Sequence, residues 1–158
     1  MQPSFTVGDT WEYRNYQIGT GAVNRTWVEV VTQTGDGFVR IRRTDSTGQP
    51  ASEENITVSD IYNWPLFVGK TWTQPIARSG NTVGRMDIVV EGWESVSTAA
   101  GTFEAVRLKN AFEIPEGAFR QVVWYAPAVR HIVRLYYLDK AGVPEQGTEL
   151  TRFAVHGR

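Results

Sequence analysis

Apolar and polar residues alternate along most of this chain with a period of two. Val39-Arg40-Ile41-Arg42 alternates strictly, and Phe103-Glu104-Ala105-Val106-Arg107-Leu108-Lys109 nearly so. Gln121-Val122-Val123-Trp124-Tyr125 and Ile132-Val133-Arg134-Leu135-Tyr136-Tyr137-Leu138 are dense in β-branched and aromatic side chains. Successive side chains of a strand point to opposite faces, so this period and these residue types predict strands. Turn formers separate them: Gly35-Asp36-Gly37, Ser46-Thr47-Gly48, Ser79-Gly80-Asn81, Ala100-Gly101 and Ala141-Gly142. The predicted strands are 9–18, 24–34, 37–45, 53–59, 70–76, 82–95, 102–113, 117–126, 130–139 and 148–156. No window carries a 3.6-residue apolar period. The one helical candidate is a single turn from Ser59 to Trp64, stopped by Pro65, because the residue before proline is pushed away from helical backbone.

A sheet of about ten strands tends to curl or close. The predicted fold is therefore all-β: one strongly curved antiparallel sheet, partly or fully closed into a barrel, with a two-sheet β-sandwich as the alternative. A length of 158 residues fits a single domain over 1–158. Within it, Phe5-Thr6-Val7-Gly8-Asp9-Thr10-Trp11 is echoed by Leu66-Phe67-Val68-Gly69-Lys70-Thr71-Trp72, with valine, glycine, threonine and tryptophan in register. Two readings of the echo stand. The chain is either two related meanders, 5–65 and 66–156, fused into one sheet, or it uses one strand-opening turn twice. In the second reading glycine gives the tight bend and tryptophan covers the open end of the core.

Charge and composition narrow the chemistry. The 16 basic and 17 acidic residues nearly cancel, which gives no electrostatic ground for a nucleic-acid partner despite the local Arg40, Arg42, Arg43 patch. The absence of cysteine excludes disulfides, iron–sulfur clusters, thiolate zinc sites and a cysteine nucleophile. With only His131 and His156, a multi-histidine metal site is excluded too. No metal and no cofactor is expected. No apolar run approaches the roughly 18 residues of a membrane-spanning helix, and Met1-Gln2-Pro3-Ser4 does not open a signal peptide.

The usual catalytic signatures are also missing. There is no Gly-x-Ser-x-Gly elbow, no dinucleotide or phosphate-binding glycine loop and no calcium loop. Gly80-Asn81-Thr82-Val83-Gly84 reads as a hairpin turn. Glu29, Asp87, Glu91, Glu94, Glu104, Glu113 and Glu116 are the carboxylates from which an acid/base pair would be drawn, but most read as solvated sheet-face groups. No catalytic residue is assigned.

Aromatic content is the informative feature: six tryptophans, six tyrosines and seven phenylalanines spread over the whole length. A small β-domain fills its core with such residues, and a curved sheet holding an apolar ligand lines its hollow with them. Trp27, Trp93 and Tyr13, with Arg40 and Arg42, are the candidate ligand contacts. Gly8, Trp11, Gly69, Trp72, Gly101, Phe103, Trp124 and Pro127 are read as structural. Gly101 makes a hairpin turn, Pro127 ends a strand, and Trp124 and Tyr125 point to opposite faces of it.

Several of these stretches together carry a resemblance: Val7-Gly8-Asp9-Thr10-Trp11-Glu12-Tyr13, Pro65-Leu66-Phe67-Val68-Gly69-Lys70-Thr71-Trp72, Glu94-Ser95-Val96 leading into Ala100-Gly101-Thr102-Phe103-Glu104-Ala105, Trp124-Tyr125-Ala126-Pro127-Ala128-Val129, and the closing Glu149-Leu150-Thr151. In these the chain resembles a set of uncharacterised bacterial envelope proteins with all-β, curved-sheet folds. The resemblance implies an exported or lipid-anchored protein, periplasmic or extracellular, shaped like the half-barrel carriers of lipoproteins and lipids; the cytoplasm stays open. It brings no catalytic residues. One departure stands out: glycine is expected after the Trp-Tyr-x-Pro-x-Val stretch, and this chain has Arg130 followed by His131.

The functional expectation is a non-enzymatic envelope protein that binds an apolar small molecule or lipid-like group in the concave face. A cavity above roughly 300 Å³ would support it. The alternatives are a structural or protein-interaction module, as part of an assembly or as a homodimer, and a carboxylate-based hydrolase. The first needs an exposed aromatic patch or an unpaired edge strand. The second needs two carboxylates within about 5–10 Å, or His131 beside a nucleophile.

Overall fold

The computed structural model describes residues 2–47, 49–57 and 63–157. They form ten strands: β1 (Thr10–Gln17), β2 (Val23–Gly35), β3 (Phe38–Asp45), β4 (Ser52–Thr57), β5 (Thr71–Arg78), β6 (Asn81–Thr98), β7 (Gly101–Ile114), β8 (Gly117–Ala126), β9 (His131–Leu138) and β10 (Pro144–Ala154). All lie in one sheet in the order β4-β3-β2-β1-β10-β9-β8-β7-β6-β5. Every neighbouring pair is antiparallel. The all-β, single-sheet expectation holds, and the two-sheet sandwich is not formed. The single helical turn expected over 59–64 lies, at 59–62, outside the described residues.

The sheet is curved and open. β4 and β5 are its two edges, although they follow each other in the chain. The β6–β7 hairpin reaches back over β9 and β10 despite the strands between them. Trp124 Nε1 donates to Glu94, Arg134 donates to the Ser97 carbonyl, and Phe103 meets Phe153 edge-on at 5.7 Å. Register shifts recur along the ladders, as at Glu12/Tyr13, Val31/Gln33, Val90/Gly92 and Trp124/Tyr125. Each extra residue bends its strand and increases the local twist, which curls a long sheet.

Both copies of the sequence echo make the same turn. Gly8 has φ +96° and Gly69 φ +90°, values that glycine adopts without a Cβ clash. Gly8 N–H donates to the Val31 carbonyl as Gly69 N–H does to Val90, both at 2.9 Å. Asp9 N–H reaches Thr6 as Lys70 N–H reaches Phe67. Val31 N–H returns to Asp9 as Val90 N–H returns to Lys70. The tryptophan that follows differs between them. Trp11 is fully buried, with Nε1 donating to the Val129 carbonyl at 2.8 Å, whereas Trp72 is half-buried and donates to Gln74.

The core has two parts. One gathers Trp11, Tyr13, Val31, Val39, Ala105, Val129, Val133 and Leu150 around β1. The other gathers Ile88, Val90, Val106, Leu108 and Tyr125, against which Trp64, Leu66 and Trp72 pack. Trp124 belongs to the first and Tyr125 to the second, so the two do diverge across the strand. Trp64 and Leu66 come from the β4–β5 connection, so the chain itself covers the β5–β8 half of the sheet. Gly84 lies inside β6 rather than in a turn. A Cβ there would sit 1.9 Å from the Glu113 carbonyl oxygen, so the residue is needed for close strand approach. The turn is made by Ser79 and Gly80, both at positive φ.

Arg130 explains the departure from the glycine pattern. Its φ is +61°, in the left-handed region where glycine would be unstrained. Its guanidinium is placed against the fully buried Asp9 carboxylate at 3.4 Å and against the His156 carbonyl at 2.9 Å, and it also donates to the Gly157 carbonyl. Asp9 accepts further bonds from the Thr6 and His156 backbone N–H groups. One buried carboxylate thus ties together the first turn, the β8–β9 turn and the C-terminal segment.

Candidate ligand-binding site

Directly opposed residues of paired strands share a face. On β1 the alternation puts Trp11, Tyr13 and Asn15 on one face. The β2 register sets Glu29, Trp27 and Arg25 against them, and β3 adds Arg43 opposite Glu29. From the other side, β10 sets Thr148 against Asn15, and β9 sets Leu135 against Thr148. Between them lies a hollow of about 210 Å³, walled mainly by Tyr13, Trp27, Leu135 and Tyr137 with Arg25 and Arg43 at its rim. A smaller hollow of about 100 Å³ adjoins it, walled by Phe5, Ile41, Ile56 and Tyr125. Glu29, His131 and Ile132 border both.

Trp27 is the centre of the larger hollow. Its ring stacks on Tyr13 at 5.5 Å with an interplanar angle of 25°. The Arg43 and Arg25 guanidinium carbons lie 4.3 and 5.1 Å from its centroid, within cation–π range. Its Nε1 donates to Glu29 Oε2 at 3.2 Å, and the Tyr13 hydroxyl donates to the Ile132 carbonyl at 2.7 Å. These bonds fix both rings by their polar tips and leave their apolar bodies to form the wall.

Glu29 and His131 make the floor. His131 Nε2 faces Glu29 Oε2 at 3.8 Å, and its Nδ1 accepts from the Ile132 N–H at 2.7 Å. The imidazole is packed edge-on against Trp11 and Tyr13 at 4.8 and 5.5 Å. Burial pushes the Glu29 carboxyl up. His131, the Trp27 N–H and Arg43 together outweigh it, so the group ends below its ordinary value and stays ionised. His131 thus sits beside the half-buried Glu29 carboxylate, with its Nδ1 taken by a backbone N–H.

Of the residues expected at a ligand site, Tyr13 and Trp27 come together here. Trp93 is 49 % exposed and lies outside the hollow. Arg40 and Arg42 alternate with the buried Val39 and Ile41, so they point to the opposite face; Arg40 Nε bonds Asn55 Oδ1 at 2.7 Å. The arginines that do reach the hollow are Arg25 and Arg43. Parity carried that signal: Arg25 is two residues before Trp27, and Arg43 two after Ile41. Most of the carboxylate candidates elsewhere lie beside arginines, Glu116 with Arg78 among them. Asp87 and Glu113 flank the exposed Arg85, and Glu91 and Glu94 share Arg107 at 3.3 and 2.8 Å. Among the described residues, no group of three or more histidines or carboxylates is arranged to hold a metal ion.

No protein-family model matches the chain, and no curated protein matches it. Solved structures do. A candidate exported protein with a YmcC-like fold from Bacteroides fragilis superposes with a TM-score of 0.60 at 14 % identity, covering 95 % of this chain and 97 % of that one. A candidate lipoprotein from Parabacteroides distasonis gives 0.59 at 17 % identity, covering 94 % and 96 %. The architecture is thus the one shared by these proteins, over almost the full length of each chain.

Proposed function

We propose that this chain is a non-enzymatic envelope protein that binds an apolar or lipid-like ligand in the concave face of its sheet, over Tyr13 and Trp27. The observation that carries the reading is the pair of small hollows left on that face beside the buried Tyr13 and Trp27. Trp64 and Leu66 cover the β5–β8 half, whereas β1, β2 and β9 border two adjoining hollows walled by aromatic and aliphatic side chains. Each hollow is smaller than the roughly 300 Å³ of a pocket that encloses a whole drug-sized ligand. The site therefore takes one end or one chain of a ligand and leaves the rest outside. The exported and lipoprotein descriptions of the two structural neighbours are compatible with an envelope location.

Native mass spectrometry of the protein purified from its own cells, followed by lipid extraction, tests this. A co-purified species of a few hundred daltons at about one per chain is expected, lost in Trp27→Ala. A bare mass that stays bare after incubation with total membrane lipid would contradict it. A second reading, an interaction module, is favoured by the outward-facing Val7, Phe67 and Val68 at the two strand-opening turns, each more than half exposed. A dimer peak in the same spectrum is its expected signature.

A further inference from the structure

We propose that the hollow over Trp27 selects an amphiphile with a carboxylate head, held by Arg25 and Arg43 while its chain lies against Tyr13, Trp27 and Leu135. The proposal rests on the ligand-binding reading above and adds the head group. Two guanidiniums converge on one indole, at 5.1 and 4.3 Å from its centroid. Neither makes an ion pair with a carboxylate among the described residues. The nearby carboxylates feel these cations without closing an ion pair: Arg43 acts on Glu29, and both arginines act on Asp45. Glu29 faces His131 and accepts from Trp27. Asp45 accepts from the Thr47 backbone N–H at 3.0 Å and from its hydroxyl at 2.5 Å.

Stacking on the ring fixes the plane of each guanidinium while leaving edge N–H donors for an incoming oxygen. Such donors match the two oxygens of a carboxylate. Below them Leu135 and Tyr137 from β9 face Tyr13 and Trp27 from β1 and β2, an apolar stretch of wall interrupted by Asn15 and Thr148. Cationic rim over apolar wall is the complement of an anionic amphiphile. The half-buried Glu29 carboxylate on the floor decides between anions: a dianionic phosphate brings a second charge towards it, and a carboxylate brings one.

The test is a calorimetric titration of the whole protein with decanoate, decanol, decyl phosphate and decyltrimethylammonium, below their micelle concentrations. Decanoate is expected to bind at least tenfold more tightly than decanol and than decyl phosphate, with the ammonium weakest. Arg25→Gln/Arg43→Gln should bring decanoate down to the decanol level and leave decanol unchanged. Arg25→Lys/Arg43→Lys, which keeps the charge without the fork, should recover part of the preference. Equal binding of decanoate and decanol, or a preference that survives the double glutamine variant, overturns the head-group assignment and leaves the concave-face reading standing. Tighter binding of decyl phosphate overturns the choice of carboxylate. Binding of none of the four overturns both readings.

Discussion

Arg130 holds a left-handed backbone position and, at the same time, supplies the cation for a carboxylate with no solvent exposure. The two roles separate by mutation. Arg130→Ala keeps the backbone strain and strips Asp9 of its partner, and breaking one side of a buried pair costs about 3–5 kcal/mol. Arg130→Gly also strips Asp9 but relieves the strain, so urea denaturation should find it about 1–2 kcal/mol more stable than the alanine variant and still less stable than the parent. Parent-like stability in Arg130→Gly would show that the ion pair is worth no more than the backbone strain that comes with it. Glu29 makes a prediction of the opposite kind, in pH. Its carboxyl is lowered in the folded protein, so its contribution is fully present above the unfolded value of about 4.3 and is lost as pH falls through the folded value. Glu29→Gln should therefore show a shallower acid limb than the parent when stability is followed by urea unfolding from about pH 6 downward. An unchanged limb would mean that the His131, Trp27 and Arg43 contacts do not stabilise the charge.

At the level of elements, the strand-opening turn is used twice with the same hydrogen bonds, so its glycines should be worth the same. A Cβ on Gly69 meets nothing within 4 Å, and on Gly8 only a histidine ring atom at 4.0 Å; the cost of alanine is backbone strain alone. Gly8→Ala and Gly69→Ala should each lose about 1–2 kcal/mol by chemical denaturation. A loss at one site only would mean that the two turns are alike in shape but not in what they bear. Most strands were legible because alternation is broken so regularly by turn formers. β10 starts earlier than expected, at Pro144, because proline is tolerated as the first residue of a strand and pairs there with Leu138. β6 runs past its expected end to Thr98, carried by its pairing with β7. That extension also accounts for Trp93. The β5 ladder on β6 stops at Val89, so Trp93 sits on a stretch with no strand on its outer side, after the shift at Val90/Gly92. Periodicity within one strand carries no information about where a neighbouring strand stops.

Over the whole molecule, the curved single sheet follows from ten amphipathic strands, and the sequence pattern was enough to expect it; whether the sheet closed fully or only in part was not legible. Which half of the concave face stays open was not legible, because it depends on where the β4–β5 connection lies. Trp64 stands 5.3 Å from the Tyr125 ring, edge-on, and with Leu66 it covers one half; nothing local in the sequence says which. Tyr13 and Trp27 were each legible as candidate contacts, but that they stack on each other, and that Arg25 and Arg43 join them, emerges only once the strands are paired. The indole of Trp27 is the centre of the proposed site. Its Nε1–H is bonded to Glu29 within the hollow, and its resonance in a proton–nitrogen NMR spectrum reports that place alone. On titration with decanoate a saturable shift of the Trp27 indole signal and of the neighbouring Tyr13 and Leu135 resonances is expected, with the Trp72 and Trp93 indoles unmoved. A shift centred on Trp93, or no saturable shift at Trp27, would contradict the proposed site.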